Sequence, residues 1–117
     1  MSPKRGDRIA PPPTEHEYDL RFADAAAVKG WEDLERQVSA NLRRAWDVLR
    51  TDPRSKTNPT RQHRLKGELG TGTCKGVVCE RWQYEVTGGG RLWYLIDDDS
   101  RTVWLVFAGT GHPKLTD

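Results

Sequence analysis

Cysteine is scarce in this chain, with two among 117 residues, and no apolar run approaches the ~20 residues a membrane-spanning helix needs. Cys74 and Cys79 lie five apart in a predicted strand region. An odd spacing puts them on opposite faces of a regular strand, which argues against a disulfide. No further Cys or His pair completes a zinc site, so both are read as reduced structural thiols. Residues 1–14 are basic and proline-rich and contain no apolar signal-peptide core. Together these absences predict a soluble cytoplasmic protein with no membrane partner. Apolar residues are also few, at 35%. A single domain of this length must therefore have a small, dense core, and five tryptophans help to build it.

Charge is present in both signs and unevenly placed. The net charge is only +2, yet residues 54–91 hold eight Lys/Arg against three Glu, a net of +5. The remainder of the chain is therefore −3. A basic central block on a nearly neutral protein suits either a localised anion-binding surface, such as one for nucleic acid, or a solvated basic loop.

Residues 1–14 read as a disordered leader and 15–117 as one folded domain. Residues 17–22 alternate Tyr18, Leu20 and Phe22 with Glu17, Asp19 and Arg21, a half-buried strand. Asp24 can cap a helix that starts at Ala25. Val28, Trp31, Leu34 and Val38 give it an apolar stripe, and Gly30 weakens it. Val38, Leu42, Ala45, Trp46 and Leu49 continue at helical spacing until Asp52-Pro53 stops the pattern. The two helices should form an antiparallel hairpin, broken near residues 37–40. Residues 54–73 read as a long polar loop. Strands are expected at 76–86, 91–97 and 102–108. The order β-α-α-β-β-β predicts an α+β fold, a small antiparallel sheet with the helical hairpin on one face.

The two-residue period of a strand sorts the side chains into faces. Val78, Trp82, Tyr84 and Val86 share the core side of the 76–86 strand, with Glu80 at its edge. Arg81, Gln83 and Glu85 share the open side. In the next strand Arg91 and Trp93 belong to that open side. The 102–108 strand is apolar on both faces, which suits a central position. If the segment after it returns along the open face, His112 and Lys114 approach Arg91. Such a surface suits RNA: cations for phosphate, an indole for a base, and a histidine or carboxylate for proton transfer. Asp97-Asp98-Asp99 reads as a turn rather than a metal cluster, so no metal is expected. Gly88-Gly89-Gly90 precedes no helix and reads as a hairpin turn rather than a phosphate loop.

From about residue 17 to 114 the chain resembles the RelE/ParE superfamily of bacterial type II toxins. The carriers are the helical hairpin ending in Asp52-Pro53, Arg64-Leu65-Lys66-Gly67, Trp82-Gln83-Tyr84-Glu85-Val86, and the Arg91-Leu92-Trp93-Tyr94-Leu95-Ile96-Asp97 strand. The glycine-rich exit after the last strand adds to them. The resemblance implies a toxin neutralised by a cognate antitoxin. RelE-like activity would be cleavage of mRNA on the ribosome without metal or other cofactor. It implies catalytic roles for Arg91, His112, Arg81, Glu85 and Lys114, and RNA contacts from Arg64, Lys66 and Trp93. The family's terminal tyrosine has no counterpart here, and His112 stands as its replacement in acid–base chemistry. Two other readings stay open: a ParE-like inhibitor that binds a DNA topoisomerase, and a toxin homologue without nuclease activity.

Overall fold

The computed structural model of the protein describes residues 3–9 and 11–110. Strand β1 is Asp19–Phe22, followed by helices α1, Ala25–Gln37, and α2, Ser39–Thr51. Strands β2, Gln62–Arg64, and β3, Thr71–Cys74, flank a 3-10 turn at Gly67–Gly70. Three longer strands close the chain: β4, Val77–Glu85, β5, Gly90–Asp97, and β6, Thr102–Thr110. Among the described residues they form one sheet in the order β1-β6-β5-β4-β2, with β3 also paired to β4. None of the described helices is long and apolar enough to cross a membrane.

The helices form where the apolar stripes predict. Asp24 caps α1, its side chain accepting from the Ala27 amide at 2.8 Å. Val38 alone, with extended φ, separates the two helices. Val28, Trp31 and Leu34 of α1 and Leu42, Ala45, Trp46 and Leu49 of α2 are buried against the sheet. They meet Trp82, Tyr84, Val86, Leu92, Tyr94, Ile96, Val103 and Leu105 from its covered face. Each fully buried side chain of this size contributes about 2 kcal/mol, so this layer is the main source of stability. The α+β fold with helices on one sheet face is thus observed.

Four sequence expectations need correction. The sheet is mixed, because β1 runs parallel to β6, pairing Leu20 with Val103 and Phe22 with Leu105. β6, apolar on both faces, is indeed interior, between β1 and β5. Second, the leader is ordered where it is described. Ile9 donates to Leu20 O at 2.7 Å and Phe22 to Asp7 O at 3.0 Å, so 6–9 covers the outer edge of β1. Ile9 is its one apolar anchor and is buried. Third, the 54–73 loop contains β2 and all but the last residue of β3. Their few apolar side chains gave no periodic signal, and backbone ladders to β4 hold them.

Fourth, Cys74 and Cys79 lie on different strands and share one face. Lys75 and Gly76 both take positive φ, 52° and 80°, the geometry of a two-residue hairpin turn between β3 and β4. Cys74 and Cys79 then pack with Leu95 and Trp104 in a small satellite cluster, both as free thiols. Burial pushes both thiols up. The hairpin reaches beyond the part of the sheet that the helices cover. Val78, expected in the core, is consequently 72% exposed.

The chain after α2 is pinned to the sheet by polar contacts. Gln62, buried, donates to Tyr94 Oη at 3.1 Å and to Pro53 O at 3.2 Å, and Tyr94 donates to Pro53 O at 2.8 Å. Arg54 grips Asp98 through two bonds of 2.9 and 2.8 Å and Glu80 through one of 3.1 Å. Glu80 also accepts from Trp82 Nε1 at 2.9 Å. Arg54 holds the Asp98 carboxyl below its usual range. Burial alone would raise Glu80, but the bonds from Arg54 and Trp82 outweigh it and hold that carboxyl low too.

Both carboxyls therefore bind protons less readily folded than unfolded. The stability they contribute is present above their ordinary values and is lost as pH falls through about 4 and below. The side chains are between about a third and somewhat over a half exposed, and solvent screening keeps the effect small. Arg54→Met is expected to cost about 1–2 kcal/mol at pH 7 and less in acid. Urea midpoints at pH 7 and pH 3 check this: the mutant and wild-type curves should draw together at the lower pH.

Candidate active site on the open sheet face

The helices leave one sheet face uncovered, and strand register fixes which side chains stand on it. Across β4, β5 and β6 three rows form. Arg81 faces Leu95 and Trp104, Gln83 faces Trp93 and Phe107, and Glu85 faces Arg91 and Gly109. A bulge where Trp93 pairs with Phe107 but Tyr94 with Leu105 leaves Val106 as the extra residue of β6. The bulge keeps Phe107 beside Trp93, with ring centroids 6.4 Å apart and planes at 63°.

Register brings together four of the residues expected here: Arg81, Glu85, Arg91 and Trp93. Arg81 and Glu85 lie two rungs apart on β4, with Glu85 directly across from Arg91. The Arg81 guanidinium sits 6.0 Å from the centroid of the Trp93 ring. Its Nη1 donates to Leu69 O at 3.5 Å. Gly72 of β3 makes room for it, because a Cβ there would come within 2.6 Å of Nη2. Burial lowers the pKa of Arg81, which stays a cation at neutral pH. A partly desolvated guanidinium attracts an anion more strongly than a hydrated one.

Trp93 is packed into this face. It is 2% exposed, and its Nε1 donates to Gln83 Oε1 at 2.8 Å. With Phe107 at its edge and Arg81 over its ring, the indole is the floor of the site and offers no free face to a base. Arg64 is not on this face at all. It pairs with Trp82 on the helix side, and its Nε donates to Gly70 O at 2.9 Å. Lys66 is exposed just before the 3-10 turn. His112 and Lys114 lie outside the described residues.

Two residues not singled out from the sequence join the site. β2 pairs with the outer edge of β4, so His63 stands opposite Gln83 on the open face. Arg61 precedes it, where its carbonyl accepts from the Glu85 amide at 2.7 Å. Arg61 Nη1 also donates to the Glu85 carbonyl at 3.4 Å. The available signal was the alternation of Arg61 and His63 about Gln62, hidden by the lack of any apolar partner. The face thus carries three guanidinium groups, one carboxylate and one imidazole around an aromatic floor. Guanidinium forks suit phosphate oxygens, and imidazole and carboxylate suit proton transfer.

A large cavity of about 820 Å³ lies elsewhere, between the N-terminal segment and the helices, lined by Ile9, Phe22, Trp31, Leu42 and Trp46 among others. It holds no histidine or cysteine, so volume and chemistry point to different places, and the chemistry decides for the open face. Among the described residues no three His, Cys, Asp or Glu side chains are grouped to hold a metal ion.

No protein-family model matches the sequence, and no curated protein sequence matches it. Solved structures do. A metal-bound toxin from Helicobacter pylori aligns with a TM-score of 0.55 at 18% identity, covering 78% of this chain and 91% of that one. A copper-bound mutant toxin from the same organism gives 0.54 at 19%, covering 80% and 93%. The toxin–antitoxin complex RelBE2 from Mycobacterium tuberculosis gives 0.48 at 23%, covering 81% and 99%. The α+β architecture expected from the sequence is the one observed, and this chain shares its fold with the two Helicobacter pylori toxins.

Proposed function

We propose that this chain is the toxin of a type II toxin–antitoxin system and that it cleaves mRNA on the ribosome. The observation that carries the reading is the open face itself. Arg81 and Arg91 stand on adjacent strands of a toxin fold, with Glu85 directly across from Arg91, on the face the helices leave bare. Cleavage of this kind needs the ribose 2′-hydroxyl to attack the adjacent phosphorus while the 5′-oxygen of the next nucleotide leaves. Negative charge grows on the phosphate oxygens in that transition state, and preorganised guanidinium groups stabilise it. Two arginines can supply this charge without a metal ion. Glu85 orients Arg91 from across the ladder. His112 protonates the leaving oxygen and Lys114 adds positive charge. Lys66 contacts RNA backbone at the rim. The partners are ribosome-bound mRNA and a cognate antitoxin that neutralises the toxin.

Induction in a bacterium, with mapping of mRNA ends, tests this. Fresh 5′-hydroxyl ends within coding regions are expected within minutes, together with growth arrest that co-expression of a cognate antitoxin relieves. Intact mRNA with DNA damage and filamentation would instead favour a topoisomerase inhibitor. Confirmed expression without any growth defect would mark an inactive homologue.

A further inference from the structure

We propose that the cavity between the N-terminal segment and the helical hairpin binds a small organic cation, an amine or quaternary ammonium carried on an apolar body. The site lies on the helix side of the sheet, away from the open face. It does not depend on the nuclease reading.

Three observations carry it. The first is a wall already in place. The Gly6 amide donates to Phe22 O at 2.8 Å and the Ile9 amide to Leu20 O at 2.7 Å. Arg21 Nη1 donates back to Gly6 O at 2.9 Å, and Arg8 Nε donates to Asp19 at 2.8 Å. The segment therefore stands as a fixed wall facing the two helices, and about 820 Å³ lies between them. Pockets that take small molecules run from about 300 to 1,000 Å³. With the wall formed beforehand, a ligand does not bear the cost of ordering it.

The second is an aromatic floor. α1 supplies Trp31, and α2 supplies Ser39, Leu42, Arg43 and Trp46, whose i, i+3, i+4, i+7 spacing makes one helical face. Phe22 of β1 meets Trp31 edge-on, with ring centroids 6.2 Å apart and planes at 78°. This floor already holds a cation: the Arg43 guanidinium lies 4.9 Å from the centroid of the Trp46 ring. The negative face of an aromatic ring attracts positive charge, and more strongly where water is displaced.

The third is charge. Lys4, Asp7, Arg8, Glu32, Glu35 and Arg43 line the cavity, and formally they cancel. Two of the three cations are already committed, Arg8 to Asp19 at 2.8 Å and Arg43 to Asp47 at 3.6 Å. Among the described residues Asp7, Glu32 and Glu35 form no ion pair. Three carboxylates then face one ammonium, that of Lys4. Glu32 and Glu35 are one turn apart on α1, so a single compact head meets both. An anion of the same shape would be repelled by the carboxylates and would gain nothing from the rings.

The test uses the full-length protein, labelled with nitrogen-15, and three probes with one alkyl chain and different heads. These are octyltrimethylammonium, octanol and octanesulfonate, each below its micelle concentration. The five tryptophans give separate indole N–H signals. Octyltrimethylammonium should shift those of Trp31 and Trp46 saturably and leave Trp82, Trp93 and Trp104 in place. It should also slow hydrogen exchange of the Ile9 amide, which closes the far wall. Octanesulfonate should bind about tenfold more weakly or worse. The double variant Glu32→Gln/Glu35→Gln changes two side chains on the helix surface and should melt as the wild type does. It should bind the cation about 3–10-fold more weakly and octanol unchanged. The proposal is overturned by the absence of a saturable shift, by shifts of all five indoles, by equal affinity for the sulfonate, or by unchanged cation affinity in the double variant. A lysine-rich amphipathic peptide that shifts Trp31 and Trp46 where octyltrimethylammonium does not would assign the groove to a protein partner instead. No readout involves RNA, so failure of the nuclease reading leaves this result standing, and the reverse.

Discussion

Gly30→Ala is expected to destabilise the protein by about 3 kcal/mol, although alanine is the better helix former by about 1 kcal/mol. Gly30 sits inside α1, where the helix crosses β6. A Cβ built on it would overlap the carbonyl oxygen of Ala108 and lie 2.6 Å from its carbonyl carbon. Both are backbone atoms of an interior strand, paired to β5 through Leu92. Neither can swing aside as the end of a side chain can. Either α1 lifts off the sheet, loosening the burial of Val28, Trp31 and Leu34, or β6 bends and strains its ladder. Gly88 is the control: its Cβ would meet nothing within 4 Å, so Gly88→Ala should shift stability by no more than about 0.5 kcal/mol. Urea denaturation reads both. Gly30→Ala should lower the midpoint at unchanged slope, and a mutant as stable as the wild type would show that the helix has slack here.

Gly30 also marks where sequence reasoning stops. From the sequence it is a weak point in a helix. Only the packing of α1 on β6 shows that the weakness is what lets the two backbones approach. Elements with a periodic apolar side chain were legible: the stripes of α1 and α2, the Asp24 cap, and the aromatic face of β4. Burial drives those elements, and burial leaves a pattern. The elements held by backbone bonds left none. β2 is Gln62-His63-Arg64, with no apolar residue, and pairs through its ladder and the buried Gln62 amide. The 6–9 segment clings to β1 in the same way. Lys75 at positive φ disguised the β3–β4 turn, because asparagine or glycine is the usual signal there. The parallel pairing of β1 with β6 depends on how the helical hairpin returns the chain, which no local pattern encodes.

For the candidate site the consequence is direct. Arg81, Glu85 and Arg91 were placed on one face by counting in twos along strands whose aromatic residues fixed the inner side. For Trp93 the sequence gives the face but not the burial, since counting gives direction and not depth. His63 was invisible because β2 was. The site is therefore legible in its cations, which ride on strong strands, and illegible in the imidazole, which rides on a weak one.

Arg91→Ala, on the nuclease reading, is expected to slow mRNA cleavage by about 10²–10³-fold while leaving the fold intact. Arg91 lies in the first turn of the ladder of β5, between Glu85 and Gly109, and is half-buried. Its backbone pairing does not depend on its side chain, and the core rows begin at Leu92 on the other face. Loss of the guanidinium should thus cost little stability. In the transition state, however, the phosphate gains charge, and a planar fork across from a carboxylate can meet two of its oxygens in a fixed orientation. Arg91→Lys keeps the charge and loses the fork, so it should recover only part of the rate. The pair of mutants separates geometry from charge. Equal rates for lysine and arginine would mean that position 91 supplies only field. Single-turnover cleavage on programmed ribosomes measures both, with thermal melting as the check on folding. If Arg91→Ala cleaves like the wild type while remaining folded, the open face is not where the phosphate reacts. On the nuclease reading, the phosphate would then have to react on another surface of the same fold.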